Sequence, residues 1–283
     1  MKPIKIVGVP EHFNLPWQLC IQNGEFEKIG IDLRWTDIPE GTGKMCQMLR
    51  DNETDIAVIL TEGIVKDIVA GNECSIVQVY VESPLIWGIH VAANSKYNLL
   101  SDLENTKVGI SRFGSGSHLM AFVNAQNQNW NTETLQFEIV NTIDGAVEAL
   151  INGSADYFMW ERFMTKPLVD KGVFRRVADC PSPWPCFVIA VRNEFLKANK
   201  QSVALVLETI NNTTIEFKDI PSIDITLASK YHQKLEDIQE WLSLTNWSQK
   251  GLDENVLNKI QNQLFDLKII DKKVTFFEIV KAV

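Results

Sequence analysis

The order of hydrophobic periods constrains this chain most. From residue 4 it alternates a strand-like run "IKIVGV", a helical segment "PWQLCIQNGEFEKIG", a strand "IDLRWTDI", a helix "GKMCQMLRDN" and a strand "DIAVIL". A β-α-β-α-β series, with crossovers long enough to hold helices, predicts a mostly parallel sheet flanked by helices. The series returns about 100 residues later as "KVGIS", "SHLMAFVNAQNQ", "LQFEIV", "DGAVEALING" and "DYFMW". The punctuation agrees too: "NETDIAVILTEG" answers "NGSADYFMWERF", and Asp55 and Asp156 each open the last strand of a series. Any two α/β segments share some of this pattern, so coincidence stands as the alternative to the expected pair of similar lobes.

Two apolar, strand-prone stretches, "SPLIWGIHVAANS" and "PSPWPCFVIAVRN", follow the first and second copies. They are expected to carry the chain between lobes and back, with hinge strands near 88–94 and 184–191. Beyond residue 194, "EFLKANKQSVALVLETINNTTIEFK", "ITLASKYHQKLEDIQEWLSL" and "DENVLNKIQNQLFDL" carry helical spacing, with Asp253 as an N-cap. Returned to the first lobe, these helices make it discontinuous: residues 1–91 and 191–283 form lobe 1, and 92–190 form lobe 2.

Composition removes several classes of partner. A chain of 283 residues with 45% hydrophobic and 22% charged residues can build a sizeable core. Its net charge of -9 leaves no basic field for phosphate backbones, so nucleic acid is not expected. No segment approaches the roughly 20 apolar residues of a membrane span, so direct membrane insertion is not expected either. Five scattered cysteines, with five residues between Cys180 and Cys186, suit reduced cytoplasmic thiols better than a disulfide framework or a metal knuckle. The expected location is therefore cytoplasmic, or periplasmic or lipid-anchored if an export signal was cut from the chain.

In open parallel sheets ligands sit beyond the carboxyl ends of the strands, where loops converge and helix N-termini point free N–H groups inward. That rule selects Glu11 and His12, then Gly41, Thr42 and Gly43, then Thr61 and Glu62 in the first copy. In the second it selects Arg112 and the run Ser115, Gly116, Ser117 and His118, then Trp160 and Glu161. "GISRFGSGSH" keeps the glycine spacing of a phosphate loop, but Ser115 stands where the lysine belongs and Gly116 where the hydroxyl belongs. Such a loop suits an anionic or strongly polar group without phosphoryl transfer; the alternative is that its serines only cap the helix. Glu62 and Glu161 could bind a ring nitrogen or amine, exchange protons, or be ordinary glutamates. Trp17, Trp87, Trp160 and Trp184 could sandwich a flat ligand or belong to the core. No catalytic residue, metal site or cofactor is assigned.

With these residues in view, the chain resembles the type II periplasmic-binding-protein folds. The motifs are "GTG", "DNETDIAVILTEG", "GISRFGSGSH" and "NGSADYFMWE", and the nearest likeness is to the nitrate, sulfonate and thiamine-precursor group of solute-binding proteins. The resemblance implies two α/β lobes closing like a clam on a small polar or anionic, heteroaromatic ligand. It also implies delivery to an ABC permease if the chain is exported. "VPEHF" resembles the start of signal-less, cytosolic members of that group. Thiamine-pyrimidine synthases and menaquinone-pathway enzymes look similar in scaffold, so a lyase or synthase stands as the alternative to a binding protein. The synthases' cysteine-rich iron motif has no match here.

Overall fold

Residues 3–283 are described by a computed structural model. The chain divides into two compact units, Pro84–Pro183 and the chain on either side of it, to Ser83 and from Trp184.

The first unit opens with β1 (Ile4–Gly8), α1 (Leu15–Gln22) and α2 (Glu25–Lys28), β2 (Leu33–Asp37), α3 (Thr42–Arg50), β3 (Ile56–Leu60), α4 (Thr61–Val69) and β4 (Cys74–Val81). The second unit holds β5 (Ile86–Ala92), β6 (Lys107–Ile110), α5 (Gly116–Asn127), β7 (Gln136–Ile139), α6 (Ile143–Asn152), β8 (Tyr157–Glu161), α7 (Arg162–Asp170) and β9 (Phe174–Pro181). The chain then re-enters the first unit through β10 (Phe187–Arg192). It closes with α8 (Asn193–Ala198), α9 (Lys200–Glu216), α10 (Ile223–Tyr231), α11 (Leu235–Leu244), α12 (Glu254–Asp266) and α13 (Phe276–Ile279).

Each unit is built on a five-stranded sheet, ordered β2-β1-β3-β10-β4 in the first and β7-β6-β8-β5-β9 in the second. Three strands of each run parallel, and the fourth position is an antiparallel strand, β10 or β5. Two similar lobes thus replace the alternative of coincidental period. The aspartates that open the third strands show the likeness atom by atom. Asp55 Oδ2 accepts from the Lys5 amide at 3.0 Å, and Asp156 Oδ2 accepts from the Lys107 amide at 2.8 Å. Buried apolar residues such as Ile6, Val58 and Ile189 in one unit, and Val108, Phe158 and Ile89 in the other, build separate cores.

The units divide at 83/84 and 183/184 rather than at the expected 91/92 and 190/191, so that β5 lies whole in the second unit and β10 whole in the first. The spans expected as hinge strands, 88–94 and 184–191, overlap β5 and β10, and the segments just before these strands hold Pro84, Pro183 and Pro185. β4 and β9, which no alternating period marks in the sequence, each form one of the two outer strands of their sheet. The open edge of β4 is covered by the closing segments. Val79 donates to Lys250 O at 2.8 Å, Glu82 to Asn246 O at 2.9 Å, and Lys281 to Ile76 O at 3.0 Å. Covering a strand edge removes a template for unwanted pairing.

Candidate functional site

In the first unit β1, β2 and β3 run parallel, so their carboxyl ends lie at one edge of the sheet. The antiparallel β10 begins at that edge, which brings Trp184, Pro185 and Cys186 beside the start of α4. The Thr61 hydroxyl donates to Pro185 O at 2.6 Å, and the Thr61 amide donates to Cys186 O at 3.1 Å. Next to it the indole Nε1 of Trp184 donates to Glu62 Oε2 at 2.9 Å. Both side chains are buried, Glu62 at 4% exposure. Burial pushes the Glu62 carboxyl up to about 7, opposed by the donors that favour its ionised form, its own amide and the Trp184 indole.

Gly41 precedes α3 with φ of 75°, a left-handed conformation that glycine adopts without steric cost. Thr42 starts the helix, and its methyl group packs where Gly63 lacks a Cβ, so α3 and α4 meet closely beside Glu62. Gly43 is exposed on the first turn. The N-cap of α3 is Gly41, so no side chain caps this helix.

Glu11 and His12 follow β1 in an extended residue and a single 3-10 turn. The Glu11 carboxyl is raised to about 7 by desolvation, and its carbonyl accepts from the Tyr231 hydroxyl at 3.1 Å. His12 is fully buried, with ring centroids 4.5 Å from Tyr231 and 5.1 Å from Trp241. Burial pushes its imidazole down to about 3, with Gln233 acting weakly the other way, and neither ring nitrogen has a well-formed hydrogen bond. Tyr231 and Trp241 come from α10 and α11 and have no signal in the local sequence around residue 11.

In the second unit the glycine-serine loop joins β6 to α5. Ser115 is the N-cap: its Oγ accepts from the His118 amide at 3.3 Å. Ser117 is 1% exposed and its Oγ accepts from the Ser111 amide at 2.9 Å, while lying 3.1 Å from Ser115 Oγ. Both hydroxyls therefore hold the loop itself together. Gly116 opens the helix, Arg112 is exposed, and the amide of Gly114 donates to His118 Nδ1 at 3.1 Å. The His118 ring sits in an aromatic group with Phe113, Phe122 and Phe137, at centroid distances of 5.3, 5.1 and 4.7 Å.

Glu161 ends β8 and caps α7, its Oε2 accepting from the Met164 amide at 2.6 Å. It lies opposite Trp87 in the sheet register. Trp160 stacks on Phe158 at 5.4 Å and meets Trp87 edge-on at 6.5 Å. Trp17 is fully buried among Phe26, Trp35 and Tyr80, and Trp87 is 5% exposed, so both belong to the cores. Among the described residues no group of three or more His, Cys, Asp and Glu side chains could hold a metal ion. Among them, too, no helix is long and apolar enough to cross a membrane.

Residues 87–180 match a family model described as Ca3427-like PBP. Across the whole chain, a solved structure of the Candida albicans CA3427 gene product, reported as exhibiting the generic periplasmic-binding-protein fold, superposes with a TM-score of 0.89. It is 24% identical, over 100% of this chain and 97% of that one. This chain has the periplasmic-binding-protein fold. The same fold is shared with the alkanesulfonate-binding protein SsuA of Xanthomonas axonopodis pv. citri, solved bound to MOPS. That pair gives a TM-score of 0.84 at 15% identity, covering 100% and 99% of the two chains. The periplasmic aliphatic sulphonate binding protein SsuA of Escherichia coli gives a TM-score of 0.78 at 17% identity, covering 99% and 92%. No curated protein matches the chain. Within the periplasmic-binding-protein fold, each unit of this chain gathers buried polar side chains at the carboxyl ends of its own parallel strands.

Proposed function

We propose that this protein is a receptor for one small, polar, flat heteroaromatic molecule, with pyrimidine-sized rings the first class to test. A polar group of the ligand is received by the loops at the carboxyl ends of the parallel strands of the first unit, beside Glu62. The observation that carries this is Glu62. A carboxyl group, 4% exposed and bonded to an indole N–H, stands where a ligand polar group is received in open α/β sheets. The shared fold with solute-binding proteins supports the same reading. Five free, buried cysteines support a cytoplasmic setting; an exported form would serve an ABC permease.

Native mass spectrometry of freshly purified protein tests the receptor directly by seeking a retained small molecule. One observation favours a second reading, a lyase or synthase on this scaffold: a carboxyl near 7 suits proton transfer at neutral pH. Incubation with a metabolite extract separates the two, since an enzyme alters a compound that a receptor merely retains.

A further inference from the structure

The loops at the strand carboxyl ends of the first unit carry one sign of charge. Residues 9–12, 37–43, 60–63 and 81–83 include Glu11, Asp37, Glu40, Glu62 and Glu82 and no lysine or arginine. The first cation beyond them, Lys44 on α3, lies 3.9 Å from Glu53. Lys66, further along α4 than Glu62, acts on the Cys46 thiol. Among the described residues, neither Glu62 nor Glu11 has a lysine or arginine at ion-pair distance; the ion pairs of this unit join other residues. Glu62 is held by uncharged donors, the Trp184 indole and its own amide.

The groups around these two carboxyls supply no positive charge. Thr61 and Pro185 bond to each other beside Glu62. Tyr231 bonds to the backbone of Glu11, and Asp37 bears on that same tyrosine. His12, the one titratable base in these loops, is kept uncharged by burial. In the second unit Arg112 is exposed, and Glu161, 5% exposed, caps α7 beside Arg162, which pairs with Asp179 at 3.4 Å, so the uncompensated acidic character belongs to the first unit.

A carboxylate shut away from water with no cation is among the costliest arrangements in a protein. It is relieved by taking up a proton or by a cation brought from outside. We infer that the ligand brings the cation: the protein selects a flat basic nitrogen compound, amidine-like or aminopyridine-like, whose N–H Glu62 receives, and rejects sulfonates and phosphates. This rests on the receptor reading above and narrows it. It also separates this chain from the sulfonate-binding proteins that share its fold. Desolvation holds Glu62 and Glu11 at about 7, so the ligand-free protein carries protons there that a cation displaces.

Benzamidine and benzenesulfonate test the inference, being similar in size and flatness and opposite in charge. Isothermal titration of the full chain should show benzamidine binding at least tenfold more tightly. At about pH 6, titrations in buffers of different ionisation enthalpy should show proton release with benzamidine. Glu62→Gln, which keeps shape and removes charge, should weaken benzamidine at least tenfold and reduce the proton release, with folding checked by near-ultraviolet dichroism. Tighter binding of benzenesulfonate overturns the charge assignment, as does an unchanged benzamidine affinity in folded Glu62→Gln. An anionic compound retained in native mass spectrometry also overturns it while leaving the receptor intact. No retained compound, together with no saturable response to either probe, overturns both.

Discussion

The indole nitrogen of Trp184 donates to Glu62 Oε2 at 2.9 Å, linking the residue that re-enters the first unit to the carboxyl at the start of α4. Because this donor favours the ionised carboxyl, Trp184→Phe should raise the Glu62 value further above about 7. A bond to a buried carboxylate is worth about 1.5–3 kcal/mol, so the variant should lose up to that amount. The loss should be larger at alkaline than at acidic pH, measured by urea unfolding on both sides of neutrality. Equal losses at both would show that the indole acts only through packing.

Glu62 also sets a pH dependence of stability. Its folded value of about 7 lies above the ordinary 4.5, so its contribution is fully present below 4.5 and is lost as pH rises through 7. The expected fall is up to about 3 kcal/mol. Glu11 acts in the same sense and less strongly, being only half-buried. Glu62→Gln should flatten the curve of urea midpoint against pH in this window.

Ser115 and Ser117 separate capping from packing. Ser115→Ala removes the N-cap of α5 and should cost about 1 kcal/mol. Ser117→Phe forces a ring into a site with 1% exposure and leaves the Ser111 amide without its acceptor, so it should cost about 3 kcal/mol or more. Thermal melts of the two variants should therefore differ clearly. A Ser117→Phe melt close to that of the unmodified protein would mean that the loop opens to admit the ring.

Two glycines make a second graded pair. A Cβ at Gly145 would run into the carbonyl oxygen of Val140, which is backbone and cannot turn aside. At Gly63 it would meet the methyl group of Thr42, a side-chain end that can rotate. Gly145→Ala should thus destabilise by about 2 kcal/mol or more and Gly63→Ala by less, read from denaturant midpoints. In Gly63→Ala the cost should fall when combined with Thr42→Ser, because the obstructing methyl is then gone.

The alternating core of each unit was legible in the sequence because β1, β3, β6 and β8 are short apolar runs set between amphipathic helices. The two lysine-to-aspartate brackets were visible only as matching punctuation. β9 escaped because "FRRVADCP" is a half-exposed outer strand with no apolar alternation. β4 escaped for the opposite reason: it is buried throughout and shows no period at all. The helices after residue 194 gave their type but not their breaks; Asn199 and His232 interrupt runs that the pattern joined. At the candidate site, loop position named Glu62, but nothing local paired it with Trp184, 122 residues away. Tyr231 and Trp241 were invisible for the same reason, since side chains brought in by a distant helix leave no mark beside the loop they cover.

The placement of β10 between β3 and β4 has a consequence for how the molecule is made. A ribosome completes every strand of Pro84–Pro183 before it has supplied the one that fills the sheet begun at Ile4. During that interval the nascent β3 and β4 have no β10 between them, and their unpaired edges are the surface a chaperone would shield. The later-born unit is thus the first that can mature, and the first-born must wait for the chain to come back.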